Sequence, residues 1–244
     1  MTDDRATGFQ RARSAEQREI RKQAILDAAT QLLGEMPVSE ISLRELSRRV
    51  GLSKTNVVRY FETREAVFFE LLNRSLARWI EELSAELAAT DASSADIASS
   101  ADIASSADIA SSADRASSAV VTDTLARSLA RRPLLCDLFS ALGSELERNI
   151  SADAAREFKL AHVRLLRELA ELLRRHIAGL TPDTARELVS LAVVYTAGLW
   201  PFAHPSDAVA EAQRDPGLID TKVDFPAMLG RALHLAVTGL LRSR

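Results

Sequence analysis

The chain has 244 residues, of which 47% are hydrophobic and 27% are charged, and its formal net charge is −3. This composition is that of an ordinary globular protein, long enough for one large domain or for a small domain and a larger one. The single cysteine, Cys136, excludes an internal disulfide framework and is typical of a reducing compartment. The N-terminus is polar, and the longest apolar run, 188–200, is too short to cross a bilayer. We therefore expect a cytoplasmic protein.

The charges are unevenly distributed along the chain. Residues 1–64 contain twelve Lys or Arg and nine Asp or Glu, whereas the remainder contains nineteen and twenty-five. A basic N-terminal segment on an acidic body is typical of a surface that binds a polyanion. The first fourteen residues lack apolar periodicity, and we expect a flexible basic arm whose arginines either contact phosphates or are solvated. These arginines are Arg5, Arg11 and Arg13.

Three helices are predicted in the N-terminal segment. The first covers about 15–35 and carries an apolar stripe at helical spacing. Ser42 and Glu45 form a capping box that opens a short second helix. Gly51 can adopt the positive φ that a tight turn requires, and Ser53 then caps the third helix. Two short helices joined by a glycine turn are the pattern of a helix-turn-helix.

The third helix has an apolar side and a polar side. Val57 and Phe61 are predicted to face the core, with Val58 as a further candidate. The polar side suits DNA, because Lys and Arg can pair with guanine edges or phosphates, Asn can bind adenine, and hydroxyls can bind phosphate. A helical hairpin with a solvated basic face is the alternative. The predicted DNA-binding residues are Arg44, Ser53, Lys54, Thr55, Asn56, Arg59, Tyr60, Thr63 and Arg64.

The N-terminal segment resembles the DNA-binding domain of the TetR (tetracycline-repressor-like) family of bacterial regulators. The similarity covers residues 15–70. It is carried by the run Ile41-Ser-Leu-Arg-Glu-Leu-Ser-Arg-Arg-Val-Gly-Leu-Ser-Lys and by Tyr60-Phe61-Glu62-Thr63-Arg64-Glu65. The third helix reads Thr55-Asn56-Val57-Val58 where many members have Gly-Thr-Leu-Tyr or similar. The resemblance implies an all-helical homodimer with a divergent C-terminal domain that often binds a small molecule.

We therefore expect an all-α protein in which a three-helix helix-turn-helix head precedes a larger helical domain. The predicted parts are a basic arm at 1–14, a DNA-binding domain at 15–64, and an effector-binding and dimerisation domain at 65–244. A hexapeptide repeat, Ala-Ser-Ser-Ala-Asp-Ile, interrupts the larger domain at 92–119. Each isoleucine of the repeat steps about 240° around a helix axis, so the isoleucines cannot form one stripe. We expect a flexible, low-complexity insertion between helices that end at about residue 89 and resume at about residue 121.

The larger domain offers candidates for a ligand pocket and for a dimer interface. Aromatic residues and one histidine at helical spacing either line a pocket or pack in the core. The candidate pocket residues are Trp79, Phe139, Phe158, His162, Tyr195 and Trp200. The last two long helices carry apolar residues on more than one face, which indicates dimerisation. The first of these two helices is predicted to stop at Trp200-Pro201. The candidate interface residues are Leu191, Val194, Leu233, Val237 and Leu240.

No motif in the sequence indicates catalysis. The four histidines and the cysteine lack metal-ligand spacing, and no Gly-rich phosphate loop or nucleophile elbow is present. We expect neither a metal nor a cofactor, and no enzymatic activity. The favoured hypothesis is a homodimeric transcriptional repressor that binds a palindromic operator in double-stranded DNA and is released by a small-molecule effector. The alternatives are an architectural protein or activator without an effector, and a helical protein-interaction module.

Overall fold

The structure is a computed structural model that describes the backbone of residues 3–98, 107–148 and 150–242. Side chains are described within 15–90 and 117–242, apart from residue 149. The described parts form ten α-helices and no strand, which confirms the all-α fold class. The helices are α1 (Asp3–Leu33), α2 (Leu43–Val50), α3 (Lys54–Val58), α4 (Arg64–Ala98), α5 (Ala107–Ala130), α6 (Pro133–Ala141), α7 (Ala152–His176), α8 (Pro182–Ala203), α9 (Asp207–Ala212) and α10 (Phe225–Arg242). Short 3-10 helices cover Val38–Glu40 and Pro216–Thr221, and a π turn covers Leu142–Leu146.

The chain divides into two compact units. The first, here called the head, comprises Met1–Leu72 and Leu142–Phe158. The second, here called the body, comprises Asn73–Ala141 and Lys159–Arg244. The predicted boundary after residue 64 falls at the first residue of α4, whose opening turns belong to the head.

The core of the head is built on the predicted apolar stripe of α1. Ile25 and Leu32 of this stripe are buried, and so is the neighbouring Leu26. The helix α2 packs against α1, and Ile41 and Leu46 complete the core from that side. Burial of side chains of this size contributes roughly 1.5–3 kcal/mol each relative to exposure. The short helices of the head are therefore held mainly by packing, since isolated helices of this length are unstable in water.

Two side-chain contacts fix the position of α2. The Ser42 Oγ accepts a hydrogen bond from the Glu45 backbone N–H at 3.1 Å, which confirms the predicted N-cap. The Arg49 guanidinium donates to both carboxylate oxygens of Glu35, at 2.8 and 2.6 Å. This hydrogen bonding holds the pKa of the Glu35 carboxyl below its usual range. The helix before the glycine turn is thus tied to the segment that follows α1.

The body is organised around α10, which packs on α5 and α8, while α6 packs on α8. Trp79 of α4 is buried, and its indole Nε1 donates to the Ser128 Oγ of α5 at 3.1 Å. Beside this contact, Arg131 donates to Glu86 at 2.7 Å, and Arg132 donates to the Ser128 hydroxyl at 3.0 Å. A buried indole and a charged rim therefore join α4 to α5.

The helix α1 begins at Asp3, whereas an arm without helical structure is predicted for residues 1–14. The backbone of 3–14 is helical because the segment contains alanines and arginines, which favour helix, has no proline, and continues into the rest of α1 without a break. The side chains of Arg5, Arg11 and Arg13 lie outside the described residues.

The hexapeptide repeat is helical wherever its backbone is described. The helix α4 continues to Ala98 and α5 begins at Ala107, so both helices extend further into the repeat than predicted. Alanine is the best helix former, and neither Gly nor Pro interrupts 92–119, so the helical preference of alanine outweighs the competition from Ser and Asp. Residues 99–106, which belong to the predicted insertion, lie outside the described residues.

The helix α8 passes through Trp200-Pro201, where a stop is predicted, and ends at Ala203. Proline removes one backbone donor, but Pro201 lies in the final turn, so only two helical residues follow the disrupted position. The turn is then closed by the His204 backbone N–H, which donates to the Trp200 carbonyl at 3.1 Å.

Among the described helices, none is long and apolar enough to span a membrane.

Cys136 is a buried thiol on α6 with no exposed surface. Burial raises the pKa of this thiol well above its usual range. Because the thiolate is the reactive form, we expect iodoacetamide to leave Cys136 unmodified in the native protein while the urea-unfolded chain is alkylated completely. Intact-mass measurement of both samples checks this, and rapid alkylation of the native protein would contradict the buried position.

Candidate nucleic-acid interface

A glycine turn joins α2 to α3, as the sequence predicts. Gly51 adopts a φ of 72°, and its N–H donates to the Arg48 carbonyl at 3.3 Å. The Leu52 N–H donates to the Ser47 carbonyl at 3.0 Å and closes the end of α2. Ser47 is buried, and its small side chain allows α3 to pack closely on α2. A side chain in place of the Gly51 hydrogen would be strained at this φ, so the turn depends on glycine.

The inner side of α3 is anchored by two apolar residues. Val57 is fully buried, and Phe61, three residues after the end of the helix, is buried as well, as predicted. Val58 is 42% exposed and does not join the core. The anchor residues are four positions apart and fix the orientation of this five-residue helix.

The outer side of α3 carries exposed polar side chains. They are Lys54, Thr55, Asn56 and, directly after the helix, Arg59. The Ser53 Oγ accepts a hydrogen bond from the Asn56 backbone N–H at 3.2 Å, so Ser53 is the N-cap. Within the described structure, neither the Lys54 ammonium nor the Arg59 guanidinium pairs with a carboxylate. The first turn of α3 therefore presents a cation, a hydroxyl and an amide to solvent.

The residues that follow α3 contact α1. The Arg18 guanidinium lies 5.9 Å from the centre of the Tyr60 ring, and its Nη2 donates to the Arg59 carbonyl at 3.5 Å. The Lys22 ammonium lies 5.6 Å from the centre of the Phe61 ring. Neither Arg18 nor Lys22 is among the residues predicted from the sequence to contact DNA. Their helical spacing could have shown that they share a face, but it could not have shown that this face meets α3.

Tyr60 and Thr63 are both predicted to contact the DNA backbone. Tyr60 is half-buried beneath Arg18. The Thr63 Oγ1 accepts a hydrogen bond from the Ala66 backbone N–H at 3.2 Å, as the N-cap of α4. The Thr63 hydroxyl therefore has a structural role at the beginning of α4.

Arg64 makes structural contacts within the head, whereas the sequence analysis predicts a phosphate contact for it. Its Nη1 donates to three backbone carbonyls within 38–41, at distances of 3.0 to 3.2 Å. Its Nε donates to the Glu65 Oε1 at 2.8 Å, and Glu65 is only 4% exposed. The guanidinium thus neutralises a buried carboxylate and satisfies the carbonyls of a short 3-10 turn.

The predicted pocket residues are dispersed, and most of them pack in a core. Trp79 is bound to Ser128, as described above. Phe158 belongs to the head, where its ring stacks on Phe69 with centroids 4.0 Å apart. Trp200 is buried in the body, and its Nε1 donates to the Asp137 Oδ1 at 2.6 Å. For these three residues, core packing describes the structure better than a ligand pocket does.

Phe139 and His162 lie together in the body. Both are buried, and their rings meet edge to face with centroids 6.5 Å apart. The His162 Nδ1 lies 2.9 Å from the Asn73 Oδ1, so the imidazole is hydrogen-bonded. Tyr195 is half-buried on α8. His162 is therefore a satisfied buried histidine, one of the two alternatives that the sequence left open.

The predicted dimer residues divide into two groups. Leu233 and Val237 are buried within a single chain and pack in its core. Val194 is 63% exposed, while Leu191 and Leu240 are partly exposed. Further apolar residues are exposed on α8 and α10, namely Phe202, Met228 and Leu235. An exposed apolar face therefore exists on these two helices, although only part of it was predicted.

The interior of the body is tightly filled where α5, α7, α8 and α10 meet. The gap there is lined by apolar residues such as Leu125, Leu173 and Leu233 and has no room for a water-sized molecule. An open groove of about 630 Å³ lies between α4 and α7. In the part of the chain that was searched, no group of three or more His, Cys, Asp or Glu could hold a metal ion.

Comparison with known proteins assigns both parts of the chain. Residues 25–71 match the family described as "Bacterial regulatory proteins, tetR family", and residues 73–244 match "Tetracyclin repressor-like, C-terminal domain". The HTH-type transcriptional regulator RutR of Escherichia coli (strain K12) is 32% identical over 65 residues, which cover 27% of this chain and 31% of RutR. An uncharacterized HTH-type transcriptional regulator of Mycobacterium tuberculosis is 31% identical over 75 residues, covering 31% and 37%. The chain thus spans about a third of the length of the curated relatives it matches.

Solved structures share the fold over nearly the whole chain. A TetR transcriptional regulator from Rhodococcus sp. RHA1 has a TM-score of 0.52 at 14% identity, covering 93% of this chain and 97% of that one. The transcriptional regulator FadR from Bacillus subtilis, in complex with stearoyl-CoA, has a TM-score of 0.51 at 16% identity, covering 89% and 98%.

The glycine turn and the capped third helix make the head a helix-turn-helix unit. The chain belongs to the TetR (tetracycline-repressor-like) family. The family predicted from the sequence is confirmed.

Proposed function

We propose that this protein is a homodimeric, cytoplasmic repressor that binds a palindromic operator and leaves it when a small molecule binds the body. The observation that carries the proposal is the first turn of α3. It exposes Lys54, Thr55 and Asn56 from a backbone fixed by the Gly51 turn and the Ser53 cap. In helix-turn-helix proteins the N-terminal residues of the second helix contact base edges in the major groove.

The three exposed side chains match different base edges. Asn56 can bind adenine N6 and N7 bidentately, Lys54 can donate to guanine O6 or N7, and the Thr55 methyl can contact a thymine methyl. Within the described residues, Lys54 has no carboxylate partner that would have to be displaced. Base reading is therefore assigned to this turn.

Dimerisation is proposed through the exposed apolar face of α8 and α10. Val194 is 63% exposed, Phe202 is 68% exposed and Leu235 is 59% exposed. Large apolar side chains clustered on two packed helices favour burial against another surface. A second copy supplies that surface with two-fold symmetry, and its two recognition helices then meet half-sites about 34–36 Å apart. A palindromic operator follows from this symmetry.

The effector is proposed to bind the body, and the groove between α4 and α7 is its candidate site. Ile80 and Leu172 supply apolar surface there, and the charged lining comprises two arginines and three glutamates, namely Arg167, Arg175, Glu81, Glu168 and Glu171. This combination suits an amphipathic ligand with an apolar body and a polar group. The structurally similar FadR from Bacillus subtilis was crystallised with stearoyl-CoA, a molecule of that kind, so long-chain acyl-CoA is the first ligand to test. The ligand releases DNA only if it binds the two conformations of the protein with different affinity.

The Asn56→Ala variant is expected to lose about 1–3 kcal/mol of operator binding and to lose its base preference at one position of each half-site. Gel-shift titration against genomic fragments and against single-base variants of the preferred fragment measures both effects. Gln31→Ala, an exposed amide of α1, is the matched control and should bind as the wild type does. An unchanged base preference in Asn56→Ala would reject the assigned role.

The same titrations separate the other functions. Wild-type protein without sequence-selective, salt-sensitive DNA binding would favour a protein-interaction module. Selective binding that no member of a broad ligand panel alters would favour an architectural protein or activator without an effector.

A further inference from the structure

A basic cleft of about 560 Å³ lies in the head where α1 meets the end of α3. It is lined by Gln17, Arg18, Ile20, Arg21, Arg59 and Tyr60. Three of these six residues are arginines, and no carboxylate lines the cleft among the described side chains. The Arg21 and Arg59 guanidiniums form no ion pair within the described structure. A polar cleft with several uncompensated cations attracts an anion.

The arginines of the cleft are held close together by the fold. The Arg18 guanidinium is placed over the Tyr60 ring at 5.9 Å, and its Nη2 donates to the Arg59 carbonyl at 3.5 Å. Arg21 lies three residues further along α1, and side chains at this spacing are neighbours on a helix surface. Arg59 directly follows the last residue of α3. Side chains from two elements therefore converge without any acidic group between them.

We infer that the cleft binds a backbone phosphate of the operator, and that Arg59 belongs to this phosphate clamp, defined as Arg18, Arg21 and Arg59, and does not read a base. The inference rests on the proposed function and deepens it. The sequence alone leaves Arg59 free to pair with either guanine or phosphate.

The position of Arg59 along α3 decides between the two roles. The base-reading turn, Lys54 to Asn56, lies at the beginning of the helix, whereas Arg59 lies beyond its end and beside α1. In helix-turn-helix proteins the N-terminal residues of the recognition helix contact base edges, and contacts to the sugar-phosphate backbone fix the register of the protein on the duplex. The two α1 arginines add charge on the same side, so the clamp extends the DNA contact from the groove to the flanking strand.

Single substitutions of the clamp test the inference in the full-length protein. Arg18→Ala, Arg21→Ala and Arg59→Ala are each expected to weaken DNA binding about tenfold at ~0.1 M salt, equally for preferred and other sequences. Each lost phosphate contact reduces the slope of log K against log salt by about 0.9, and a dimer contains two clefts, so each variant should lose roughly two units of slope. The melting temperatures of Arg21→Ala and Arg59→Ala should not change, because both side chains are exposed and form no ion pair within the described structure. Arg127→Ala, an exposed arginine of the body, is the control for net charge.

Uncharged backbone positions identify the ligand as a DNA phosphate. Methylphosphonates are placed one at a time along the strand that flanks each half-site, and affinities are measured for the wild type and for Arg21→Ala. At the contacted phosphate, the methylphosphonate should weaken binding of the wild type. The same methylphosphonate should weaken binding of Arg21→Ala only slightly further, because the substitution has already removed that contact. Fully additive losses at every position would overturn the assignment, and so would a changed base preference in Arg59→Ala. If the wild type binds selectively but the clamp variants bind equally well, only the clamp is rejected. Failure of the wild type to bind any duplex rejects the proposed function as well.

Discussion

The Arg64→Ala variant is expected to lose about 3 kcal/mol of unfolding free energy. The substitution removes a guanidinium that donates to three carbonyls within 38–41, and it leaves the Glu65 carboxylate buried without its cation. The desolvation cost of an unpaired buried charge exceeds the cost of losing an exposed ion pair, because water cannot replace the missing partner. Urea-induced unfolding followed by circular dichroism measures the loss.

Two comparisons show whether the effect has this cause. Arg44→Ala removes an exposed arginine of the same unit and should change stability by less than about 0.5 kcal/mol. Adding Glu65→Gln to Arg64→Ala removes the stranded charge and should restore part of the stability. A variant as stable as the wild type, but defective in DNA binding, would show instead that Arg64 is a phosphate contact.

The double variant Val194→Glu with Leu235→Glu is expected to be monomeric and to bind the operator at least about 100-fold more weakly. Both side chains are mostly exposed in a single chain, so glutamate should be tolerated in the monomer. Across a two-fold interface the new carboxylates would be desolvated without partners. Without the dimer, the second half-site no longer binds at the high effective concentration that linkage provides. Sedimentation velocity and gel shift measure the two effects.

Leu160→Glu is the matched control for the double variant. Leu160 of α7 is 59% exposed and lies outside the proposed face of α8 and α10, so this substitution should leave a dimer with wild-type DNA affinity. A double variant that remains dimeric at micromolar concentration would place the interface elsewhere. A monomeric Leu160→Glu variant would likewise place the interface outside the exposed face of α8 and α10.

The DNA-binding head could be predicted because its signals are local. The Ser42 and Ser53 caps, the Gly51 turn and the Val57 and Phe61 anchors all depend on residues within a few positions of one another. Capping, positive φ and helical spacing are properties of short segments, and here packing agrees with them. The roles of these residues in the fold were therefore accessible from the sequence.

Roles that depend on distant partners could not be predicted. Arg64 follows a recognisable motif, but its carbonyl partners lie more than twenty positions earlier in the chain. The contact between Arg18 and Tyr60 likewise joins separate helices. Similarly, helical spacing places Leu233 on an apolar face of its helix, but it does not show whether that face packs within the same chain or against a second copy.

Alanine content explains where the helices exceed the prediction. The repeat at 92–119 was expected to be flexible because its period does not match a helix, but period decides only which residues share a face. Intrinsic propensity decides whether the backbone is helical when no partner is required, and it favours helix in the described part of this segment.

Selection of bound DNA from a random pool, carried out with the full-length protein, measures sequence recognition by the head. We expect enrichment of an inverted repeat whose half-sites are centred about one helical turn apart, or a multiple of it. The same selection with Asn56→Ala should yield a repeat degenerate at one position of each half-site, while Arg59→Ala should yield an unchanged repeat at lower recovery. A pool without any enriched motif, under conditions where the protein is folded, would show that the protein does not read DNA sequence.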